Sequence, residues 1–90
     1  TAQDAVHTFV SQVAGPLIDA DDMLIDTLCV LMDCMGSKTM ACEWLGIQRQ
    51  TLYNRLEHVE RLTGISQHDT VSWSAMLVGV KLIHELRALD

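Results

Sequence analysis

Ninety residues suit one domain with one core, and an apolar share of 49% with a single Pro and five Gly argues against a disordered chain. A formal net charge of −6 lacks the overall basicity by which most DNA-binding domains announce themselves. Three cysteines, odd in number, without a CxxC pair or a His at finger-like spacing, signal neither a disulfide framework nor a zinc site.

Cys29, Cys34 and Cys42 therefore read as packed thiols in a reducing cytosol. The longest apolar-rich run, Val71 to Ile83, is too short for a membrane span and carries Lys81. No signal peptide is visible. The expectation is a soluble cytoplasmic domain with no membrane partner. A start at Thr1 rather than Met fits a piece of a longer protein.

In chain order, residues 2 to 14 place Val6, Phe9, Val10 and Val13 on one helical face, and Gly15-Pro16-Leu17 stops that helix. A second helix begins near Asp19 to Asp22, where carboxylates complement the positive end of the helix dipole. Leu24, Ile25, Leu28, Leu31, Met32 and Met35 form its buried stripe, and Gly36 ends it. Ser37 or Thr39 caps a short third helix reaching about Leu45.

Gly46 and Ile47 make a break. A fourth helix runs from about Gln48 to Leu62, with Thr63-Gly64 as its stop. After a short loop, Asp69 or Thr70 caps a last helix from about Val71 to Leu86. That helix is apolar at Val71, Met76, Leu77, Val80, Leu82 and Ile83. Nothing alternates with the period of two that a half-buried strand needs. The fold expected is all-α, a small domain of five helices. Trp44 and Trp73 are expected as core or helix-packing anchors.

The apolar positions Ala41, Leu45, Ile47, Leu52, Leu56, Val59 and Leu62 advance by 4, 2, 5, 4, 3 and 3. Steps of three and four keep to one helix face; the step of two at Gly46 forces a new direction. Cys42, small and four residues before Gly46, lets two crossed helices close. Together these make a helix-turn-helix over about 37 to 62.

With Leu52 and Leu56 inside, the second helix of this pair exposes Gln48, Arg49, Gln50, Tyr53 and Asn54. Arg, Gln and Asn can present paired donors and acceptors to base edges in a major groove. Gln48, Arg49, Gln50 and Asn54 are thus candidate base readers. Thr51 and Tyr53 carry hydroxyls suited to phosphate oxygens, and Lys38, Arg55 and Arg61 can neutralise the flanking backbone.

Charge is distributed in keeping with this. Residues 1–36 hold six Asp and no Lys or Arg, whereas 37–64 hold four basic against three acidic side chains. No acid lies between Trp44 and Leu56. With a Debye length of about 8 Å at ~0.15 M salt, acid on a distant helix only partly opposes binding. Spacing alone also fits a helical interaction or dimerisation module without DNA. Glu57 and Glu60 can pair with Arg61 at helical spacing.

His7, His58, His68 and His84 are scattered ordinary histidines, although His58 can add a weak phosphate contact. No nucleophile, base or metal set assembles, so neither enzyme activity nor a cofactor is expected.

Longer stretches carry a resemblance. Phe9-Val10, Gly15-Pro16-Leu17, the Asp19 to Asp22 cluster and Leu24 to Leu28 precede Arg49-Gln50-Thr51-Leu52, Arg55-Leu56 and Leu62-Thr63-Gly64. In this order, over about residues 9 to 85, they resemble the C-terminal DNA-binding domain of PucR/CdaR-type bacterial transcription regulators. Lys81-Leu82 in the last helix suits that family. Gln50 and the Tyr53-Asn54 pair depart from its pattern. "LGIQRQTLYNRL" by itself also resembles the Fis-type helix-turn-helix of enhancer-binding activators. The resemblance implies sequence-specific binding to double-stranded DNA, a homodimer or higher homo-oligomer, and an upstream sensor domain in the same chain.

Overall fold

A computed structural model describes residues 1, 4, 5, 8, 11, 12, 17 and 21–89. Four helices follow one another in that range: α1 (Asp22–Asp33), α2 (Lys38–Leu45), α3 (Arg49–Thr63) and α4 (Thr70–Ala88). Among the described residues there is no strand. Among the described residues the expected five helices are thus four. The additional helix, over 2 to 14, falls largely outside the described residues, as do its apolar face and the Gly15-Pro16 stop. Asp4, Ala5, Thr8, Ser11 and Gln12 do have helical backbone.

Local chemistry fixes the helix starts. The Asp21 side chain accepts from the Met23 N–H at 2.8 Å, and Ser37 Oγ accepts from Met40 at 3.2 Å. Asp69 Oδ1 accepts from Ser72 at 3.2 Å. Each satisfies one backbone donor that a helix leaves without an intrahelical partner. Ser37 rather than Thr39 is the cap of α2, and Asp69 rather than Thr70 that of α4.

α1 ends earlier than its apolar periodicity implies, at Asp33. The Gly36 N–H donates to Leu31 O at 2.9 Å and the Met35 N–H to Met32 O at 2.9 Å, closing a Schellman turn. Met35 holds the left-handed position, with φ +55°, and is 95% exposed. Its expected place in the buried stripe is therefore wrong: the turn rotates it out of the helix face.

The core is aliphatic. Leu24, Ile25, Leu28 and Leu31 of α1 meet Leu52, Leu56 and Val59 of α3 and Trp73, Met76, Leu77, Val80 and Ile83 of α4. Leu17, upstream of α1, is buried in the same cluster. α4 packs chiefly on α1, and α2 is held between α1 and α3.

Cys29, Cys34 and Cys42 are free, buried thiols within this core. Burial raises the Cys29 pKa to about 11, because the thiolate loses its hydration; nearby Lys81 only partly opposes this. Two expected core positions on α4 face outward instead, Val71 at 80% and Leu82 at 41% exposure. Trp73 is an anchor as expected, but Trp44 is 59% exposed. Lys81 bridges the end of α1 to α4, with Nζ 3.0 Å from Asp33 and 3.1 Å from Glu85.

Candidate nucleic-acid interface

α2, the Gly46 turn and α3 form the helix-turn-helix. Gly46 has φ +67° and ψ 36°, a conformation that costs a residue with a Cβ about 1–2 kcal/mol. Its N–H donates to Glu43 O and that of Ile47 to Cys42 O, at 3.3 and 3.1 Å. These bonds satisfy the last carbonyls of α2 and return Ile47 to the core, against which it is partly buried. A Cβ at Gly46 would meet no atom within 4 Å, so the left-handed backbone alone demands the glycine.

Gln48, in extended conformation, precedes α3 and makes no side-chain cap. Its side chain is exposed. Leu52, Leu56 and Val59 bury one face of α3 and so orient the others. Arg49, Gln50, Thr51 and Asn54 are exposed and Tyr53 half-buried.

Two hydrogen bonds, each spanning one helical turn, order this outer face. Arg49 Nη2 donates to Tyr53 Oη at 2.9 Å, and Gln50 Nε2 donates to Asn54 Oδ1 at 2.9 Å. The bond to Tyr53 also raises the Arg49 pKa, because it favours the charged guanidinium. Lys38, the first residue of α2, brings Nζ to 5.4 Å from the Tyr53 ring centroid, and the Arg49 guanidinium carbon lies at 5.7 Å. Both distances are within cation–π range.

The remaining predicted residues divide. Arg61 is exposed in the last turn of α3, well past the cluster. Arg55 turns the other way: Nη1 donates to Thr27 Oγ1 on α1 at 3.1 Å. Thr27 is 1% exposed and its hydroxyl donates to Met23 O at 2.7 Å. Arg55 therefore ties α3 to α1 and does not join the outer face. Only a polar side chain within an apolar stripe, Thr27 among Leu24, Ile25, Leu28 and Leu31, hinted at this partner.

Acid does stand beside the cluster, for Glu57 and Glu60 line one surface hollow with Lys38 and Tyr53. Among the described residues, neither Glu57 nor Glu60 pairs with Arg61 as their spacing had suggested. Glu60 accepts instead from the Gln67 N–H at 2.9 Å and from Gln67 Nε2 at 3.0 Å, which lowers its pKa. This clamp across the α3–α4 loop has no sequence signal. On α1, exposed Asp33 and Asp26 face α4, near Lys81 and His84 respectively, and not the first turns of α3. Among the described residues no three His, Cys, Asp or Glu side chains converge as a metal site. No helix there is long and apolar enough to cross a membrane.

No curated protein and no solved structure matches the chain. A family match does, and it covers residues 24–82: α1 but for its first two residues, all of α2 and α3, and most of α4. Arg49 to Leu56, Leu62-Thr63-Gly64 and Lys81-Leu82 lie inside it, whereas Phe9-Val10, Gly15-Pro16-Leu17 and the Asp19 to Asp22 cluster precede it. With that match over more than half its length, the chain belongs to the PucR C-terminal helix-turn-helix domain family.

Proposed function

We propose that the chain is the DNA-binding domain of a bacterial transcription regulator, with α3 laid in the major groove of double-stranded DNA. The observation that carries this reading is the outer face of α3. Its first two turns hold Arg49, Gln50 and Asn54 without an intervening acid, and internal hydrogen bonds already order them. Gln48, Arg49, Gln50 and Asn54 read base edges by paired donors and acceptors. Lys38, Thr51 and Arg61 meet phosphates, with the Tyr53 hydroxyl beside them. Arg55 holds α3 to α1 instead.

The family supports the wider setting: residues 1–90 as the C-terminal domain of a longer cytoplasmic regulator, without catalysis of its own, below a sensor domain. Action as a homodimer or higher homo-oligomer is supported by α4. Val71, Val78 and Leu82 are exposed there at spacings of 7 and 4, which keep them on one side of the helix, and the C-cap Leu89 is exposed seven residues further on.

Selection of duplexes from a random pool, followed by gel shifts across a salt series, tests the reading. Affinity for the selected duplex is expected to fall steeply with salt, by about 0.9 in logarithmic slope for each phosphate neutralised. Arg49→Ala is expected to cost about 1–3 kcal/mol and to relax one base position. No shift at any salt would remove DNA and leave a helical interaction module, for which the exposed Trp44 and the α4 stripe speak.

A further inference from the structure

The most populated contact on the outer face centres on a residue that reads no base. Tyr53 is the acceptor for Arg49 Nη2, and two cations from different helices lie within cation–π range of its ring. Lys38 belongs to α2 and Arg49 to α3, so Tyr53 is where the two halves of the helix-turn-helix meet through polar chemistry.

An arginine on an exposed first turn has four side-chain torsions to fix before it can offer a bidentate fork to a base, and ordering such a chain costs up to ~2 kcal/mol. A hydrogen bond at each reading removes part of that cost beforehand. The ring is half-buried and anchored on the turn between Leu52 and Leu56, which are fully buried. It is thus the firm member of the set, and the two long cations are the adjustable ones.

The Tyr53 hydroxyl oxygen is also committed. Accepting from Arg49 takes up one lone pair of that oxygen.

We propose that Tyr53 is a positioning residue, which holds Arg49 aimed outward through its hydroxyl and holds Lys38 through its ring, before any DNA arrives. The inference rests on the DNA-reading role of α3, and it assigns Tyr53 a task distinct from a backbone contact. A phosphate-binding tyrosine acts independently of Arg49; a positioning tyrosine acts through it.

Two measurements on the 90-residue chain test this, one without DNA. Side-chain relaxation at Arg49 Nε should show a restricted guanidinium in the wild-type chain and a freer one in Tyr53→Phe. Equal mobility in the two would overturn the proposal whether or not the chain binds DNA.

The second is a binding cycle on the selected duplex with Tyr53→Phe, Arg49→Ala and the double variant. Tyr53→Phe keeps the ring and is expected to weaken binding roughly three- to tenfold, about the worth of one hydrogen bond, with an unchanged salt slope. In the Arg49→Ala background the same change should have no further effect. Independent losses that multiply would make Tyr53 a direct DNA contact and sink the positioning role. Tyr53→Leu, which removes the ring as well, should lower binding beyond Tyr53→Phe; restored wild-type affinity in Tyr53→Leu would refute the part played by the ring. If no duplex is selected at all, the DNA-reading role itself fails, while the relaxation result still decides whether Tyr53 restrains Arg49.

Discussion

Arg55 and Arg49 differ by six positions on one helix, yet the first faces the interior and the second the outside. Their partners decide it. Thr27 offers Arg55 a hydroxyl already fixed by its own bond to Met23 O, so a half-buried guanidinium finds an acceptor in place. Thr27→Val keeps the shape and removes that acceptor. It is expected to destabilise the fold by about 1–3 kcal/mol in urea unfolding, since the Arg55 donor is left desolvated and unmet. In the double variant with Arg55→Met the two losses should not add, as befits residues in contact. Arg55→Met should leave the salt slope of DNA binding unchanged; a slope reduced by about one would return Arg55 to the phosphates.

At the scale of elements, the turns carry the information. Gly46 and Met35 both take left-handed backbone, one with the residue type suited to it and one without. Gly46→Ala is expected to cost about 1–2 kcal/mol and to misdirect α3 relative to α2. Met35→Gly should do the reverse, raising stability by roughly 0.5–1 kcal/mol, because strain relief outweighs the added freedom of the unfolded chain. Thermal midpoints of the two variants check both signs, and a Met35→Gly chain less stable than wild type would show that its φ of +55° carries no strain.

Helix starts and stops were legible in the residues because caps act over two or three positions, as at Ser37 and Gly46. The α3 face was legible because Leu52, Leu56 and Val59 repeat with the helix. What the sequence left obscure is long-range. The burial of Trp73 and the exposure of Trp44 depend on which helix lies opposite each, and Arg55 depends on a hydroxyl 28 residues away. Met35 departs from the stripe for a different reason: the apolar period runs on past the residue at which the backbone turns. The Gln67–Glu60 clamp belongs to a loop whose path no periodicity predicts.

For the whole molecule, the division of labour is electrostatic as well as geometric. Exposed Asp22, Asp26 and Asp33 stand on α1, while the first turns of α3, from Arg49 to Leu56, carry no acid. Such a layout gives weak attraction at a distance and makes short contacts decide affinity. On the function proposed above, two such domains on one duplex would multiply modest affinities through effective concentration. The α4 stripe of Val71, Val78, Leu82 and Leu89 is the surface suited to join them. Sedimentation equilibrium is expected to show concentration-dependent dimerisation, abolished in Leu82→Lys with helical content unchanged. A wild-type chain that stays monomeric at all concentrations would dismiss that surface as a dimer contact.

The bond between Arg55 and Thr27 has a further consequence, which concerns time. The Arg49–Tyr53 and Gln50–Asn54 pairs span four residues and form as soon as α3 coils. The Thr27–Arg55 bond spans 28 residues and needs α1 and α3 docked with water driven from between them. A contact completed that late slows the escape from the native state more than it speeds arrival. α3 can thus acquire its outward order early, while its attachment to the body of the domain is expected to act as a latch that slows unfolding.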